Sequence, residues 1–590
     1  MSDEKVIESI LAADIGSTVT HVALIDQVEG SYRLVAHAEA PTALSEPDGD
    51  VTTGLRRAMR RLEGIAQRRL LDEGDELVSP EADSGAGVDL FVATASAAPP
   101  LRGALIGLTG DFSLDSARRA CQAANLLIEQ TILLSEHDRL WPQAALNALR
   151  QTPPDVIVMT GGTDSGPTGI LENAARVLLS LYEDIPAERR PPVVFAGNQE
   201  ARRPIMHVLG GALDFRVVDN VRPSIQVESL GELQRELGQI YAQNKLAALP
   251  GFRRLRDWCG APILATSDAY SRTLRFIARR NDLARGVLGC DVGGTATHLA
   301  VARDDLYQSV VGAALGTSYG IHHLLERAGL ASIRRWLPLE MGDEDLVAWL
   351  ENARLRPQSI PQSSEDVLVT HAVLRQCLSL ALGRLRDQYW RNPDQVDPEL
   401  TPPFDLLAVR GGALAHTRAD GLIALSILDA LQPVGLSRLV VDWASLWPQL
   451  GALAQVAPLA ATQVLERDGF RELGTVVAPL GQAPDGARCL DVTLLHRDGR
   501  VSEYEVPAGT VARIPLGLNE EATLEVRPAR QFDIGLGIKG LGGKTEVRGG
   551  SLGVLVDTRG RPLRWPAADV DLHARMRQWL ANLGDEINRA

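Results

Sequence analysis

One short pattern occurs twice in the chain, and it restricts the fold more than any other feature. The first copy is Asp14–His21 (DIGSTVTH), and the second is Asp291–His298 (DVGGTATH). In each copy an apolar strand ends in aspartate, a glycine-bearing turn follows, and the next strand begins with threonine and leads to a histidine at the same spacing. The repeat therefore predicts two equivalent acidic hairpins.

These hairpins have a definite chemistry, which predicts a clamp for phosphate. Each strand brings a carboxylate to the tip of a sheet, and the glycines let backbone N–H groups approach an anion closely. A carboxylate repels phosphate, but it can hold Mg²⁺ through water, and the cation then bridges phosphate oxygens. The alternative is that both are ordinary tight turns. The carboxylates concerned are those of Asp14 and Asp291.

A third glycine-bearing turn follows the second hairpin along the chain. The apolar run LLAVR leads into Gly411–Gly412, and a helical segment comes next. Glycines at such a turn would let a purine and its ribose lie against the backbone. The turn follows the second hairpin in the order expected of a nucleotide site.

The two acidic hairpins and the later glycine pair resemble the actin/Hsp70/sugar-kinase ATPase superfamily. Within it, the sequence is similar to the glutamate mutase-associated MutL (GlmL) family, which shares only its name with the mismatch-repair protein. The resemblance covers roughly residues 7–475. The segments that carry it are Leu11–Thr20, Val158–Gly166, Val194–Asn198, Asp219–Pro223, Asp291–Thr297 and Ile427–Asp442.

The resemblance implies an α/β fold with duplicated actin-like (ribonuclease H-like) ATPase lobes that bind Mg-ATP between them. It implies a first phosphate loop, a second phosphate loop and an adenosine loop, which are respectively Asp14, Gly16, Ser17 and Thr18; Asp291, Gly293, Gly294 and Thr295; and Gly411–Gly412. Asp14 and Asp291 are then the expected metal ligands. The resemblance also implies slow ATP hydrolysis coupled to lobe motion, in an accessory or reactivating, chaperone-like factor for an adenosylcobalamin-dependent mutase such as glutamate mutase.

His298 departs from part of the superfamily. Many members carry aspartate at this position, whereas actin-like members carry histidine, which helps to place the attacking water. A neutral His298 could accept a hydrogen bond from that water and so count with Asp14 and Asp291 as catalytic. The alternative is a histidine that only packs or hydrogen-bonds. Its counterpart His21 is expected to be structural.

Hydrophobic patterning divides the chain into four segments. Residues 1–87 form the N-terminal part of the first ATPase lobe, and 88–282 alternate strand and helix as in an inserted parallel α/β domain. Residues 283–477 form the second lobe with the adenosine loop. Residues 478–590 are short alternating stretches rich in glycine, which predict a β-rich domain with a terminal helix.

The insert contains a glycine-rich turn of its own, Thr160–Gly166, between a strand and a helix. Helix N-terminal amides converge at such a turn, so it could bind an anionic ligand. It could equally be a sharp strand-to-helix connection. The residues of a possible second ligand loop are Gly161, Gly162, Thr163 and Asp164, with Asn198 at an equivalent strand end.

Composition excludes several classes of protein. The net charge is −15 and aromatic residues are 4%, which argues against nucleic-acid binding. Five scattered cysteines without a CxxC pair and an acidic start, MSDEKVIESI, predict a cytoplasmic protein without a signal peptide. No apolar run reaches the roughly 18 residues that span a bilayer.

Two other functions use the same predicted nucleotide site. One is a small-molecule kinase or an ATP-dependent amidohydrolase-like enzyme, with the insert holding the substrate and Asp164 as a base. The other is a non-catalytic scaffold that binds nucleotide for assembly. The sequence predicts no oligomeric state.

Overall fold

The structure is a computed structural model, and it describes residues 7–44, 49–134, 141–304, 306–390, 400–565 and 569–585. The strands, in chain order, are β1 (Ser9–Ile15), β2 (Val19–Val28), β3 (Ser31–Pro41), β4 (Leu90–Ala95), β5 (Leu101–Gly107), β6 (Leu126–Leu133), β7 (Val156–Met159), β8 (Val193–Phe195), β9 (Phe215–Val217), β10 (Leu264–Ala265), β11 (Val287–Val292), β12 (Thr297–Arg303), β13 (Leu306–Gly312), β14 (Leu406–Arg410), β15 (Gly435–Val441), β16 (Arg471–Ala478), β17 (Arg488–His496), β18 (Val501–Pro507), β19 (Val511–Ile514), β20 (Glu521–Pro528), β21 (Gly543–Arg548) and β22 (Gly553–Asp557).

The α-helices, in the same order, are α1 (Val51–Ala66), α2 (Asp115–Ala123), α3 (Gln143–Gln151), α4 (Gly169–Tyr182), α5 (Gln199–Leu209), α6 (Gly231–Tyr241), α7 (Phe252–Trp258), α8 (Thr266–Arg280), α9 (Ile321–Ala328), α10 (Leu330–Arg334), α11 (Asp343–Leu355), α12 (Ser364–Leu385), α13 (Gly412–Ala415), α14 (Asp420–Leu431), α15 (Trp447–Leu453), α16 (Pro458–Asp468) and α17 (Asp569–Asn582).

Two sheets share one topology, which is the structural form of the sequence repeat. The first has the order β10-β4-β1-β2-β3, and the second begins β13-β12-β11-β14-β15. In both, the hairpin strand that carries the aspartate pairs antiparallel with the next strand and parallel with a later one. Asp14 lies opposite His21, and Asp291 lies opposite His298. The predicted α/β fold with duplicated lobes is confirmed.

A single apolar core joins the two sheets. Ile10 of β1 and Ala408 of β14 belong to the same buried cluster as Tyr270 of α8 and Trp447 of α15. The rings of Tyr270 and Trp447 stack with centroids 6.1 Å apart. β1 is buried along its whole length, as parallel-paired strands covered on both faces are. This shared core fixes the acidic ends of β1 and β11 relative to each other.

The C-terminal segment is rich in β-structure, as predicted. Strands β17, β18, β20 and β21 form a four-stranded antiparallel sheet with the order β18-β17-β20-β21. Two further strands, β22 and β19, join the second sheet through β16. The segment therefore extends the sheet of the second lobe.

The chain divides into two compact units. One comprises residues 98–249 and 310–313, and the other comprises 1–97, 250–309 and 314–590. The smaller unit contains a sheet with the order β6-β5-β7-β8-β9, parallel throughout, which confirms the inserted parallel α/β architecture. The predicted segment 88–282 is longer than this unit, because β4 pairs with β1 and α8 packs in the core of the larger unit.

No helix in the described part of the chain combines the length and apolar character that crossing a bilayer requires. All five cysteines are free thiols. Burial raises the pKa of Cys121, of Cys259 and of Cys377 to about 12, so these three thiols stay protonated at neutral pH.

His371 in α12 is a wholly buried histidine. Its Nδ1 lies 2.7 Å from Ser426 Oγ, and its Nε2 lies 2.9 Å from Thr417 Oγ1. Burial, helped by the nearby Arg375, lowers the pKa of His371 to about 3. The folded protein therefore holds this ring neutral at pH values where the unfolded chain protonates it.

Stability should consequently decrease as the pH falls below the unfolded pKa of about 6.5, because only the unfolded chain then takes up the proton. The loss continues until the folded pKa of about 3 is reached. Between pH 7 and pH 5 this group alone should cost about 2 kcal/mol. Urea unfolding at several pH values measures it, and His371→Gln should flatten the profile. The exposed His322 provides the control, and equal slopes for His371→Gln and wild type would contradict the prediction.

Candidate functional site

The two acidic strand ends meet at one point of the larger unit. Asp14 is the penultimate residue of β1, and Asp291 is the penultimate residue of β11. Both carboxylates bind the guanidinium of Arg410: Nη2 lies 3.0 Å from Asp14 Oδ2, and Nη1 lies 2.6 Å from Asp291 Oδ2. The two predicted metal ligands are thus brought together, one from each sheet.

The two hairpin turns are built alike. Gly16 N–H donates to the carbonyl of Val19 at 3.0 Å, and Gly293 N–H donates to that of Ala296 at 2.9 Å. Each hydrogen bond closes the turn and presents the following hydroxyl-bearing side chains. The equivalence of the predicted phosphate loops therefore extends to their backbone geometry.

The turns also touch each other directly. Ser17 Oγ lies 2.7 Å from Thr295 Oγ1. A Cβ at Gly294 would lie 2.6 Å from Thr18 Cγ2 and 2.5 Å from Ser318 Oγ, closer than real side chains pack. Glycine at 294 therefore allows the two turns to approach, and the hydroxyls of Ser17, Thr18 and Thr295 lie at this approach.

Asp14 is held by a shell of hydroxyl groups. Its Oδ1 accepts hydrogen bonds from Thr94 Oγ1 at 2.8 Å and from Thr266 Oγ1 at 2.7 Å. Thr94 of β4 pairs beside Asp14, and Thr266 is the first residue of α8. With Arg410 on Oδ2, both oxygens of this buried carboxylate have partners, so the orientation of Asp14 is fixed.

Arg410 is the site residue that the sequence analysis missed. It is the last residue of β14, pairs with Asp291 in the parallel sheet and is 4% exposed. A third carboxylate, that of the fully buried Asp442, lies 3.6 Å from its Nε. Asp442 in turn accepts hydrogen bonds from the backbone N–H groups of Leu446 and Trp447. One guanidinium therefore serves three carboxylates.

This arrangement shifts the pKa values of its members. Burial raises the pKa of Asp291, and it raises the pKa of Asp442 to about 6, while Arg410 opposes both shifts. Burial alone would lower the pKa of Arg410, but Asp291, Asp14 and Asp442 together raise it. Arg410 is therefore charged.

His298 lies beside this cluster. Its ring packs edge-on against the ring of Tyr270, and the two ring centroids are 5.5 Å apart. Burial and the charge of Arg410 lower the pKa of His298 to about 4, so its ring is neutral at pH 7. Its Nδ1 is buried and finds no hydrogen-bond partner within the described ranges. An acceptor or donor without a partner at this depth is what the water-positioning interpretation needs; that role stays a prediction.

His21, the counterpart of His298, is engaged in a contact with its neighbouring strand. Its Nδ1 lies 3.3 Å from Glu39 Oε2, and Glu39 also binds His416 Nε2 at 2.7 Å. Burial lowers the pKa of His21, whereas the hydrogen bond to Glu39 raises the pKa of His416. The contact ties β3 to the residue after α13.

The predicted adenosine loop lies against the end of the second hairpin strand. Gly411 has a φ of 131°, and a Cβ there would lie 2.2 Å from the carbonyl oxygen of Val292. Gly412 begins α13, and a Cβ there would meet no atom within 4 Å. Gly411 is thus required by backbone packing, while Gly412 faces open space.

The turn of the inserted unit satisfies its own polar groups. Gly161 and Gly162 have φ values of 147° and 71°. Asp164 Oδ1 accepts hydrogen bonds from the N–H of Gln199 and the amide of Asn220, at 3.0 Å each. The amide of Asn198 donates to the carbonyl of Gly166 at 2.8 Å. These contacts are those of a strand-to-helix turn, and a ligand at Gly161–Asp164 stays a prediction.

The donor set of the larger unit suits magnesium. Carboxylate oxygens are the ligands that Mg²⁺ prefers, and it usually takes one or two of them together with substrate phosphates. Asp291 is the most exposed of the three carboxylates, with 15% of its side chain accessible against 5% for Asp14 and 0% for Asp442. Within the described residues, no group of three or more His, Cys, Asp or Glu side chains is placed to hold a metal ion.

The model of the MutL protein family matches residues 10–468. The chain belongs to this family. The match spans both acidic hairpins, the inserted unit and the glycine pair, which are the segments that carried the resemblance in the sequence. No curated protein matches the chain.

Several solved structures are similar in fold to this member of the family. A nucleotide-free acetone carboxylase has 13% identity, covers 85% of this chain and 81% of its own, and has a TM-score of 0.33. Component A of (R)-2-hydroxyglutaryl-CoA dehydratase from Acidaminococcus fermentans has 11% identity and a TM-score of 0.25, and the alignment covers 77% of this chain and 99% of component A. Xylulose kinase from Bifidobacterium adolescentis has 10% identity and a TM-score of 0.28, and the alignment covers 80% of this chain and 96% of the kinase.

Proposed function

We propose that this protein binds Mg-ATP between its two acidic hairpins, hydrolyses it slowly, and acts as an accessory or reactivating factor for an adenosylcobalamin-dependent mutase such as glutamate mutase. One observation carries the nucleotide part: Asp14 and Asp291, from equivalent strand ends of two sheets, converge on a single guanidinium. Membership of the MutL family supports the mutase part. A cytoplasmic location is favoured by the five free cysteines.

The residues at the convergence divide the work of holding a triphosphate. Turn N–H groups and the hydroxyls of Ser17, Thr18 and Thr295 donate to phosphate oxygens, as in other glycine-bearing anion sites. Asp14 and Asp291 would hold a magnesium ion, which would neutralise phosphate charge. A ring nitrogen of neutral His298 accepts a hydrogen bond from the attacking water and so orients that water for attack. Hydrolysis would then release the contacts between the hairpins, and the resulting motion would act on the partner.

Isothermal titration calorimetry of Mg-ATP tests the nucleotide part. Asp291→Asn should weaken binding about tenfold or more, because it removes one charge-assisted metal ligand while keeping the side-chain shape. Removing the metal from wild type with EDTA should weaken ATP binding by a similar factor. Removing it from Asp291→Asn should weaken ATP binding little further. The exposed Asp498→Asn provides a control of equal charge change. Unchanged binding in Asp291→Asn would remove the basis of the proposal.

The partner is tested by retention from a lysate of the native host, with and without ATP. We expect a cobalamin-dependent mutase to be retained in a nucleotide-dependent way and to increase the rate of ATP hydrolysis. ADP release that responds to a metabolite and not to a protein would instead indicate a small-molecule kinase. Retention that ignores ATP would contradict the coupling between hydrolysis and the partner.

A further inference from the structure

Arg410 binds both clamp carboxylates, one from each hairpin. It donates to Asp14 Oδ2 at 3.0 Å and to Asp291 Oδ2 at 2.6 Å. Hydrogen bonds between an ionised donor and an ionised acceptor are among the strongest that proteins form. Because Arg410 is 4% exposed, these bonds are made out of contact with most solvent.

The fold itself does not require arginine at this position. The topological equivalent of Arg410 in the first sheet is Thr94, since Thr94 pairs beside Asp14 just as Arg410 pairs beside Asp291. Thr94 satisfies its aspartate with one neutral hydroxyl at 2.8 Å. The same position is therefore uncharged in the first sheet. The charge of Arg410 in the second sheet is a feature of the site and not a requirement of the fold.

A divalent cation that bridges the hairpins would compete with the guanidinium for the same two carboxylates. Both carboxylates turn an Oδ2 to Arg410, and the remaining oxygen of Asp14 is taken by Thr94 and Thr266. A cation that bridges the two hairpins must bind carboxylate oxygens as well. Two positive groups cannot share those oxygens at close range without strong mutual repulsion.

We infer that Arg410 competes with the divalent cation for the carboxylates of Asp14 and Asp291, and so keeps the affinity for metal alone low until nucleotide supplies further ligands. The inference rests on the proposed nucleotide site and assigns its regulation. Arg410 acts as a positioning residue, because it acts through the carboxylates in the state described by the structure.

The competition also couples the binding of metal and nucleotide to the relative position of the two sheets. Arg410 and Asp291 belong to the second sheet, whereas Asp14 belongs to the first. The bond between Arg410 and Asp14 is therefore a link between the sheets, and loss of that bond removes one restraint on their relative position. Metal alone must break this link without compensation, whereas metal with nucleotide brings phosphate contacts from both turns.

The test is a titration of Mg²⁺ alone into nucleotide-free protein, read by calorimetry and by the thermal unfolding midpoint. Arg410→Gln would leave three buried carboxylates without their cation, so the informative variant is Arg410→Gln combined with Asp442→Asn. This pair removes one positive and one negative charge and keeps the net charge of the cluster. We expect its affinity for Mg²⁺ to rise about tenfold or more, because the charged hydrogen bonds that oppose the metal are gone.

Three comparisons complete the test. Asp442→Asn alone keeps Arg410 and should show no gain in Mg²⁺ affinity, and adding Asp291→Asn to the double variant should abolish the gain. Arg410→Lys keeps the charge but cannot donate to both carboxylates from two nitrogens, so it should gain about threefold. If the double variant does not fold, Arg410→Lys decides, and absence of a gain in the folded variant overturns the inference.

A parallel titration of Mg-ATP separates this inference from the proposed function. Wild type that binds no Mg-ATP, together with a double variant that gains affinity for Mg²⁺, would refute the nucleotide proposal and leave the competition intact. Wild type that binds Mg-ATP, together with a double variant that gains nothing for Mg²⁺, would refute the competition alone.

Discussion

Replacing Asp557 by alanine should lower the free energy of unfolding by about 3–5 kcal/mol, because it leaves buried guanidinium groups without their partner. Asp557 ends β22 and is fully buried. Its Oδ2 accepts hydrogen bonds from Arg559 Nη2 at 2.8 Å and from Arg561 Nη2 at 2.7 Å. Burial alone would raise the pKa of Asp557, but the two arginines hold it well below its usual range.

The effect reaches beyond β22 because the cluster continues into the second lobe. Arg559 Nη1 also binds Asp429 of α14 at 2.7 Å, and Asp429 binds Arg375 of α12 at 2.8 Å. None of these side chains is more than 3% exposed. Loss of Asp557 therefore disturbs the attachment of the C-terminal strands to the helices of the lobe, in addition to the strand itself.

Urea unfolding followed by circular dichroism measures this loss. Asp557→Asn keeps the shape and should cost less than Asp557→Ala, since the amide oxygen still accepts a hydrogen bond. Asp498→Ala removes an aspartate from an exposed pair with Arg500 in the same segment, and we expect no measurable change from it. Similar unfolding midpoints for Asp557→Ala and Asp498→Ala would show that the buried cluster is not a stabilising contact.

The duplicated fold could be predicted from the sequence because its signal is local. In each half the aspartate, the turn glycines and the histidine lie within eight residues, and the hairpin pairs them in that order. A hairpin forms between neighbouring segments of the chain, so residue types and spacing suffice to predict it. The parallel alternation in 98–249 is local in the same sense, since each strand is followed by its own helix.

The parts that the sequence did not predict depend on distant pairing. Arg410 ends an apolar strand, and nothing near it in the sequence indicates an acidic neighbour. It acquires its role because β14 pairs in parallel with β11, more than a hundred residues earlier, which brings it beside Asp291. The attachment of β22 and β19 to the second sheet through β16 has the same origin. A charged residue that closes an otherwise apolar strand, immediately before a glycine pair, was the available signal.

The two adjacent glycines of the predicted adenosine loop should respond in opposite ways to alanine. Gly411→Ala should lower the free energy of unfolding by about 3 kcal/mol, because its φ of 131° is a region that only glycine adopts readily, and the added Cβ would overlap the carbonyl of Val292. Both penalties fall on backbone atoms, which cannot move aside as a flexible side chain can.

Gly412→Ala is the matched control, and it also tests the loop's function. Its Cβ would meet no atom within 4 Å at the first residue of α13, so stability should be unchanged or raised by about 0.5 kcal/mol. If adenosine lies against this loop, the same methyl group occupies ligand space, and the affinity for Mg-ATP should fall about tenfold while the unfolding midpoint stays. Unfolding and calorimetry on both variants separate the two effects. Unchanged ATP affinity in Gly412→Ala would place the adenosine elsewhere, because this glycine is where the loop faces open space.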